Sequence, residues 1–220
     1  MGNRMGRRNA MTPFVEEYLE MMVEQLRAVS PDAVDRIGRL LLETAKSGGQ
    51  VLVAGNGGSA STASHLACDL AKTVLGTTPE QRTSRFRAIS LADNVALLTA
   101  WANDASYESV FAEQVKMLGR PGDVLCVISA SGNSPNVVGA VTAARAMGLR
   151  TIGFLGCNGG LLKDAVDEYV VVPCDDYGHI ESVHLVLGHL LTDWLRERLD
   201  GYGDPSLSAV VGERVPPATD

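Results

Sequence analysis

Two short stretches concentrate the side chains that do chemistry. The first, VLVAGNGGSASTASHLACDL (residues 51–70), runs from apolar residues through Gly55-Asn56-Gly57-Gly58-Ser59 into a segment carrying His65 and Asp69. The second, Ser129-Ala130-Ser131-Gly132-Asn133-Ser134, leads into Pro135. Three serines and a glycine ahead of a fresh helix start gather hydroxyls and unsatisfied backbone amides in one place. Such a loop holds a phosphate without Lys or Arg, because the helix dipole and N–H groups supply the field. A plain N-cap at Ser134 would explain one hydroxyl, not three, so the loop reads as a phosphate cradle. The first loop lacks both GxGxxG and the GK[ST] ending of a P-loop, which disfavours a nucleotide cofactor. Its glycines permit close backbone approach, and Ser59 or Ser61 is placed to cap the helix that follows. Four residues apart, His65 and Asp69 share one helix face. From spacing alone they fit a metal site, a catalytic base or an ordinary helix surface.

These loops need rigid elements behind them. From residue 50 onward, short apolar runs at 50–54, 86–91, 123–128, 150–155 and 168–172 alternate with helical patterns near 59–73, 95–102, 107–118, 135–147 and 179–199. Strands separated by helices imply right-handed crossovers and a parallel sheet covered on both faces. VLCVIS (124–129) is almost wholly apolar, as a central strand should be. Ligands of open parallel sheets bind beyond the carboxyl ends of the strands. That rule selects the loops at 55–61, 92–94 and 129–134. Ahead of the sheet, Thr12-Pro13 and Ser30-Pro31 each read as an N-cap followed by Pro at the first helical position. Two amphipathic helices follow them, and the first presents a Met/Leu stripe that reads as an oligomer contact.

Composition narrows the function. The 220 residues are 45% hydrophobic and 20% charged, an ordinary globular balance with length enough for one domain. A net charge of −7 argues against a nucleic-acid footprint. No apolar run approaches the ~20 residues a membrane helix needs. Cys68, Cys126, Cys157 and Cys174 form no CxxC pair and read as reduced thiols of a cytoplasmic protein. Residues 1–11 read as a disordered tail, 12–199 as a single domain, and 200–220, rich in Gly and Pro, as a loosely ordered tail. The irregular stretch at 74–86 is placed to cover a site.

GNGGS followed by a helical His, together with GDVLCVISASGNSPNVV, resembles the sugar isomerase (SIS) family. GNGGS with the helical His and the AND at 102–104 narrow the resemblance to its phosphoheptose isomerase-like branch, over roughly residues 14–199. The resemblance implies an α/β three-layer sandwich with a five-stranded parallel sheet, preceded by two helices. It implies a homotetramer with sites shared between subunits, acting on sedoheptulose 7-phosphate or a close relative. Ser129, Ser131 and Ser134 then hold the phosphate with Ser59 nearby, Asn56 and Gly57 join them from the first loop, and Asn94 matches a sugar-contacting position. Zinc or another divalent ion is implied at His65, Asp69, Glu181 and His189.

The chain departs from that pattern at informative places. Asp69 stands where the family has a Glu that acts as base, and Glu181 where it has Gln. Gly178 replaces an Asp, Ala130 a Thr, and no Arg stands near Thr73, although Lys72 is adjacent. Glu181 and His189 are eight residues apart, about 12 Å along a helix, and both reach an ion lying between them. Glu181 and His184 form a competing pair, whereas His179 has no assigned role. Aldose–ketose isomerisation needs a base to move a proton between adjacent carbons and an acid for the oxygens. Asp69 or Glu181 is the candidate base and His189 the candidate acid. The alternative is a non-catalytic SIS module that binds a sugar phosphate or a protein partner, as a replication-initiation regulator of the same branch does.

Overall fold

The computed structural model describes residues 11–75 and 85–200. Of the expected tails at 1–11 and 200–220, residues 1–10 and 201–220 lie outside the described residues, as does most of the 74–86 stretch, whereas Met11 and Asp200 belong to helices. Two helices lead, α1 (Met11–Ala28) and α2 (Pro31–Lys46). Ser30 caps α2 as expected, its Oγ accepting from Ala33 N at 3.3 Å. Thr12 does not cap α1, because the helix already includes Met11 and Pro13 is its third residue.

Five strands then alternate with helices: β1 (Gln50–Gly55), β2 (Arg87–Ser90), β3 (Val124–Ser129), β4 (Arg150–Gly156) and β5 (Glu168–Val172). Between them lie α3 (Gly58–Ala71), α4 (Val95–Asp104), α5 (Val110–Leu118), α6 (Pro135–Ala146) and the short α7 (Leu162–Ala165). The chain of helices closes with α8 (Tyr177–Asp200). All pairings are parallel, in the order β2-β1-β3-β4-β5. Alternation along β1 sends Val51 and Val53 into one core with α2, α3 and α8, and Leu52 and Ala54 into the other with α5 and α6. The apolar runs of β1 and β3 are buried throughout, since helices cover both faces.

This order has a consequence for the site. From β1 the chain steps outward to β2, whereas from β3 it steps the other way. The crevice of the sheet therefore opens between the carboxyl ends of β1 and β3. The loop after β2, singled out with the other two from sequence, lies at the sheet edge instead.

α1 is held from outside the core. Its Tyr18 ring stacks on His179 at 4.2 Å, and His179 Nε2 donates to the Tyr18 carbonyl at 3.3 Å. His179, left without a role by its position in the sequence, is 1% exposed and pins α1 to α8. Among the described residues no helix is long and apolar enough to cross a membrane.

Candidate active site

At the crevice lies a cavity of about 230 Å³ lined by Asn56, Gly57, Gly58, Ser59, Ile128, Ser129, Ala130, Ser131, Ser134, Tyr177 and Glu181. The two small-residue loops thus form facing walls, with α8 along a third side. A wider groove of about 610 Å³ runs between α5 and α6, but Ala112, Val138, Ala143 and Ala146 make it largely apolar. The polar chemistry converges on the smaller space.

The serine loop is shaped by backbone that only glycine tolerates. Gly132 has φ +65°, and a Cβ there would lie 2.0 Å from the Gly159 carbonyl oxygen. Asn133 fastens the outside of the loop, its Oδ1 accepting from Leu161 N and its Nδ2 donating to the Ser131 carbonyl. Ser129 Oγ accepts from Gly132 N at 3.1 Å, and Ser131 Oγ accepts from Asn133 N at 3.2 Å. Each hydroxyl keeps its own proton to donate. Ser134 occupies the N-cap of α6 without making a side-chain capping bond.

The facing wall behaves in the same way. The N-cap of α3 is Gly57, at φ +55° with no side-chain cap. The expected capping by Ser59 or Ser61 is not formed, because both lie inside the helix, and Ser59 is buried against the cavity. Two helix starts without side-chain caps therefore meet at one cavity, an arrangement that favours an anion. Among the described residues neither Lys nor Arg lines it.

Further along α3, His65 and Asp69 meet His189 of α8. His65 Nε2 lies 3.0 Å from His189 Nε2, and Asp69 Oδ2 lies 3.4 and 3.9 Å from the two rings. Their ligand atoms fall within 4.8 Å of one another. Donors bound tetrahedrally at about 2.0–2.1 Å stand about 3.3 Å apart, so the trio fits a zinc-like ion, and its donor types suit one.

Glu181 does not join this group. The two helices run side by side in the same direction, with Glu181 opposite Gly58 and His189 opposite His65. A Cβ built on Gly58 would lie 2.2 Å from Glu181 Oε2. The expected quartet is thus a trio plus a carboxylate directed to the phosphate cavity, because two turns of α8 separate Glu181 from His189. The Glu181–His184 pair is not formed either. His184 is buried, its Nε2 donates to the Leu155 carbonyl at 3.1 Å, and burial lowers its pKa to about 4. Asn94 caps α4 by accepting from Leu97 N at 3.1 Å and is not part of the cavity wall.

Three residues at the site were not singled out from sequence. Tyr177 lines the cavity, Asn136 pairs with Asn56, and the Tyr107 hydroxyl bonds to Asn56 as well. Asn136, next to the serine loop, and Tyr177, next to Gly178, had neighbours to draw attention to them, whereas Tyr107 had none.

The fold and site define a class. The SIS domain model matches residues 15–156, and the chain belongs to the SIS domain family, within the phosphoheptose isomerase group. The phosphoheptose isomerase of Geotalea daltonii is 41% identical over 85% of this chain and 94% of its own. That of Akkermansia muciniphila is 33% identical over 87% of this chain and all of its own. Among solved structures, phosphoheptose isomerase from Neisseria gonorrhoeae superposes with a TM-score of 0.78 at 29% identity, covering 86% of this chain and 100% of that one.

Proposed function

We propose that this chain interconverts sedoheptulose 7-phosphate and D-glycero-manno-heptose 7-phosphate, or a close relative, by acid/base proton transfer. The observation that carries this reading is the convergence of the two α3 and α6 starts and their serines on a cavity that also holds the Glu181 carboxylate. In this scheme Ser129, Ser131 and Ser134, with Asn56, Gly57 and Ser59 opposite, hold the phosphate. The sugar then extends toward α8.

Of the two candidate carboxylates, Glu181 lines the cavity, whereas Asp69 is buried between the histidines. Glu181 is therefore assigned the proton that leaves one carbon and returns to its neighbour through an enediol. His189 serves the carbonyl and ring oxygens as acid while its Nε2 is free of metal, since a ring nitrogen that ligates an ion has no proton to give. His65, Asp69 and His189 are the residues that would hold a divalent ion, and such an ion supplies polarisation of the substrate carbonyl. Asp69 keeps its place there through its neighbours in α3 and α8 rather than by acting on carbon.

Two uncovered helix faces support the reading of this chain as a homotetramer. Neither α1 nor α4 buries a residue, although both are rich in apolar side chains, and Phe14, Leu19 and Val95 are exposed. α1 lies against β5 and α8, and α4 follows β2, so the two bare faces sit at opposite edges of the sheet. Two such faces, each pairing with its own counterpart on another copy, would close a homotetramer. Neighbouring subunits then complete sites that no Lys or Arg lines among the described residues. The four free thiols accord with a cytoplasmic protein.

The test is an NMR time course with sedoheptulose 7-phosphate, run with metal-loaded protein and again with a chelator. Aldose signals that grow with the metal and slow without it are expected. No product from metal-loaded protein overturns the reading.

A further inference from the structure

We propose that Asn136 and Tyr107 are positioning residues that set the separation of the two cavity walls by fixing the Asn56 amide. The inference rests on the phosphate site described above and adds residues from outside the cavity wall. Asn56 lies in the loop after β1 and Asn136 in the first turn of α6, 80 residues later. Their amides pair reciprocally: Asn56 Nδ2 donates to Asn136 Oδ1 at 2.9 Å, and Asn136 Nδ2 donates to Asn56 Oδ1 at 2.9 Å. Turning either amide over would set oxygen against oxygen and N–H against N–H, so the pair has one orientation. Asn136 is 3% exposed, and low local dielectric strengthens a fully satisfied pair.

The third member comes from a different element. Tyr107, in the segment between α4 and α5, donates its hydroxyl to Asn56 Oδ1 at 2.9 Å. Asn56 Oδ1 thus has both lone pairs in use and offers nothing further to a ligand. What remains for substrate is one Nδ2 hydrogen. Asn56 is therefore first a tie between walls and only then a contact to phosphate.

The tie matters because of what the cavity lacks. Long-range attraction from Lys or Arg tolerates a loose site, but no such side chain lines this one among the described residues. Short hydrogen bonds from hydroxyls and amides on two walls hold an anion together only if the walls stand at the right distance, within about 0.5 Å. The Asn56–Asn136 pair sits at the root of both walls. Its loss lets Gly57–Ser59 drift from Ser129–Ser134 while each loop keeps its own internal bonds.

The experiment measures inorganic phosphate binding by calorimetry and steady-state kinetics with sedoheptulose 7-phosphate, using the full chain. Tyr107→Phe keeps an exposed ring and removes one donor, so folding is not at stake. Losing one hydrogen bond of ordinary strength predicts about a three- to tenfold rise in the phosphate Kd, matched in KM, with kcat within about twofold. Asn136→Ala should raise both further. In an Asn56→Ala background, Tyr107→Phe should cost nothing more, because its acceptor is gone. A merely structural role would instead lower the melting temperature and leave the phosphate Kd of folded protein unchanged. An unaltered Kd in Tyr107→Phe, or full additivity with Asn56→Ala, overturns the proposal. Wild-type protein that binds phosphate but turns nothing over refutes the isomerase reading alone, and the calorimetric comparison still judges the tie. Wild-type protein that binds no phosphate overturns both.

Discussion

Acid should loosen this fold through one residue in particular. His184 is fully enclosed, with Nε2 bonded to the Leu155 carbonyl and Nδ1 without a hydrogen-bond partner. Protonation would bury a charge beside Phe154, whose ring centre is 6.0 Å away. Burial accordingly lowers the His184 pKa from 6.5 to about 4. A folded pKa below the unfolded one means that the unfolded chain binds the extra proton more readily. The stability concerned is fully present above pH 6.5 and drains as pH falls toward 4. At about 1.4 kcal/mol per pKa unit the whole effect is about 3 kcal/mol, of which about 2 is gone by pH 5. Urea unfolding at pH 7 and pH 5 measures it, with His184→Gln as reference. An amide nitrogen can still donate to Leu155, but it does not titrate. Wild-type protein should lose about 2 kcal/mol more than His184→Gln over that interval. Equal losses in the two proteins would refute the argument that His184 stays neutral in the fold.

Three further outcomes follow from the same geometry. Gly132→Ala forces an L residue to φ +65° and drives a Cβ to 2.0 Å from the Gly159 oxygen; the conformation alone costs about 1–2 kcal/mol, so calorimetry should show phosphate affinity falling more than the melting temperature suggests. Zinc at a hundred times its Kd should stabilise wild-type protein by about 2.7 kcal/mol, and Asp69→Asn should abolish most of that rise in thermal unfolding, since it removes the only carboxylate from the trio. Leu19→Glu places a charge on the bare face of α1, where Leu19 is 56% exposed, and light scattering should report a smaller assembly with unchanged secondary structure.

The elements were largely legible in the residue order. Each of the five strands falls within a residue or two of its apolar run, because burial on both faces leaves an uninterrupted signature. Ser30-Pro31 marked a helix start correctly, since a cap depends on residues within one turn. The same signal at Thr12-Pro13 misled, as the helix runs through it. Ser59 and Ser61 misled for a related reason: Gly57, with its positive φ, takes the cap position and turns Ser59 inward. His179 and His184 looked alike as helical histidines. One anchors α1 and the other is sealed against β4, a difference made by what packs on each side.

The sequence by itself determined the alternation of strand and helix, the two small-residue loops and the pairing of His65 with Asp69 on one helix face. These are local matters, governed by periodicity and by groups a few residues apart. Only the tertiary structure decided which loops face each other and which acids keep company. The strand order chose the β1 and β3 loops over that of β2, and the parallel run of α3 beside α8 brought His189 to His65 across 124 residues. The same packing set Glu181 against Gly58 instead of beside the metal-capable trio. Glu181 and His189, about 12 Å apart along α8, each meet the α3 residue alongside them, Gly58 and His65, and no local pattern says which partner each end will meet.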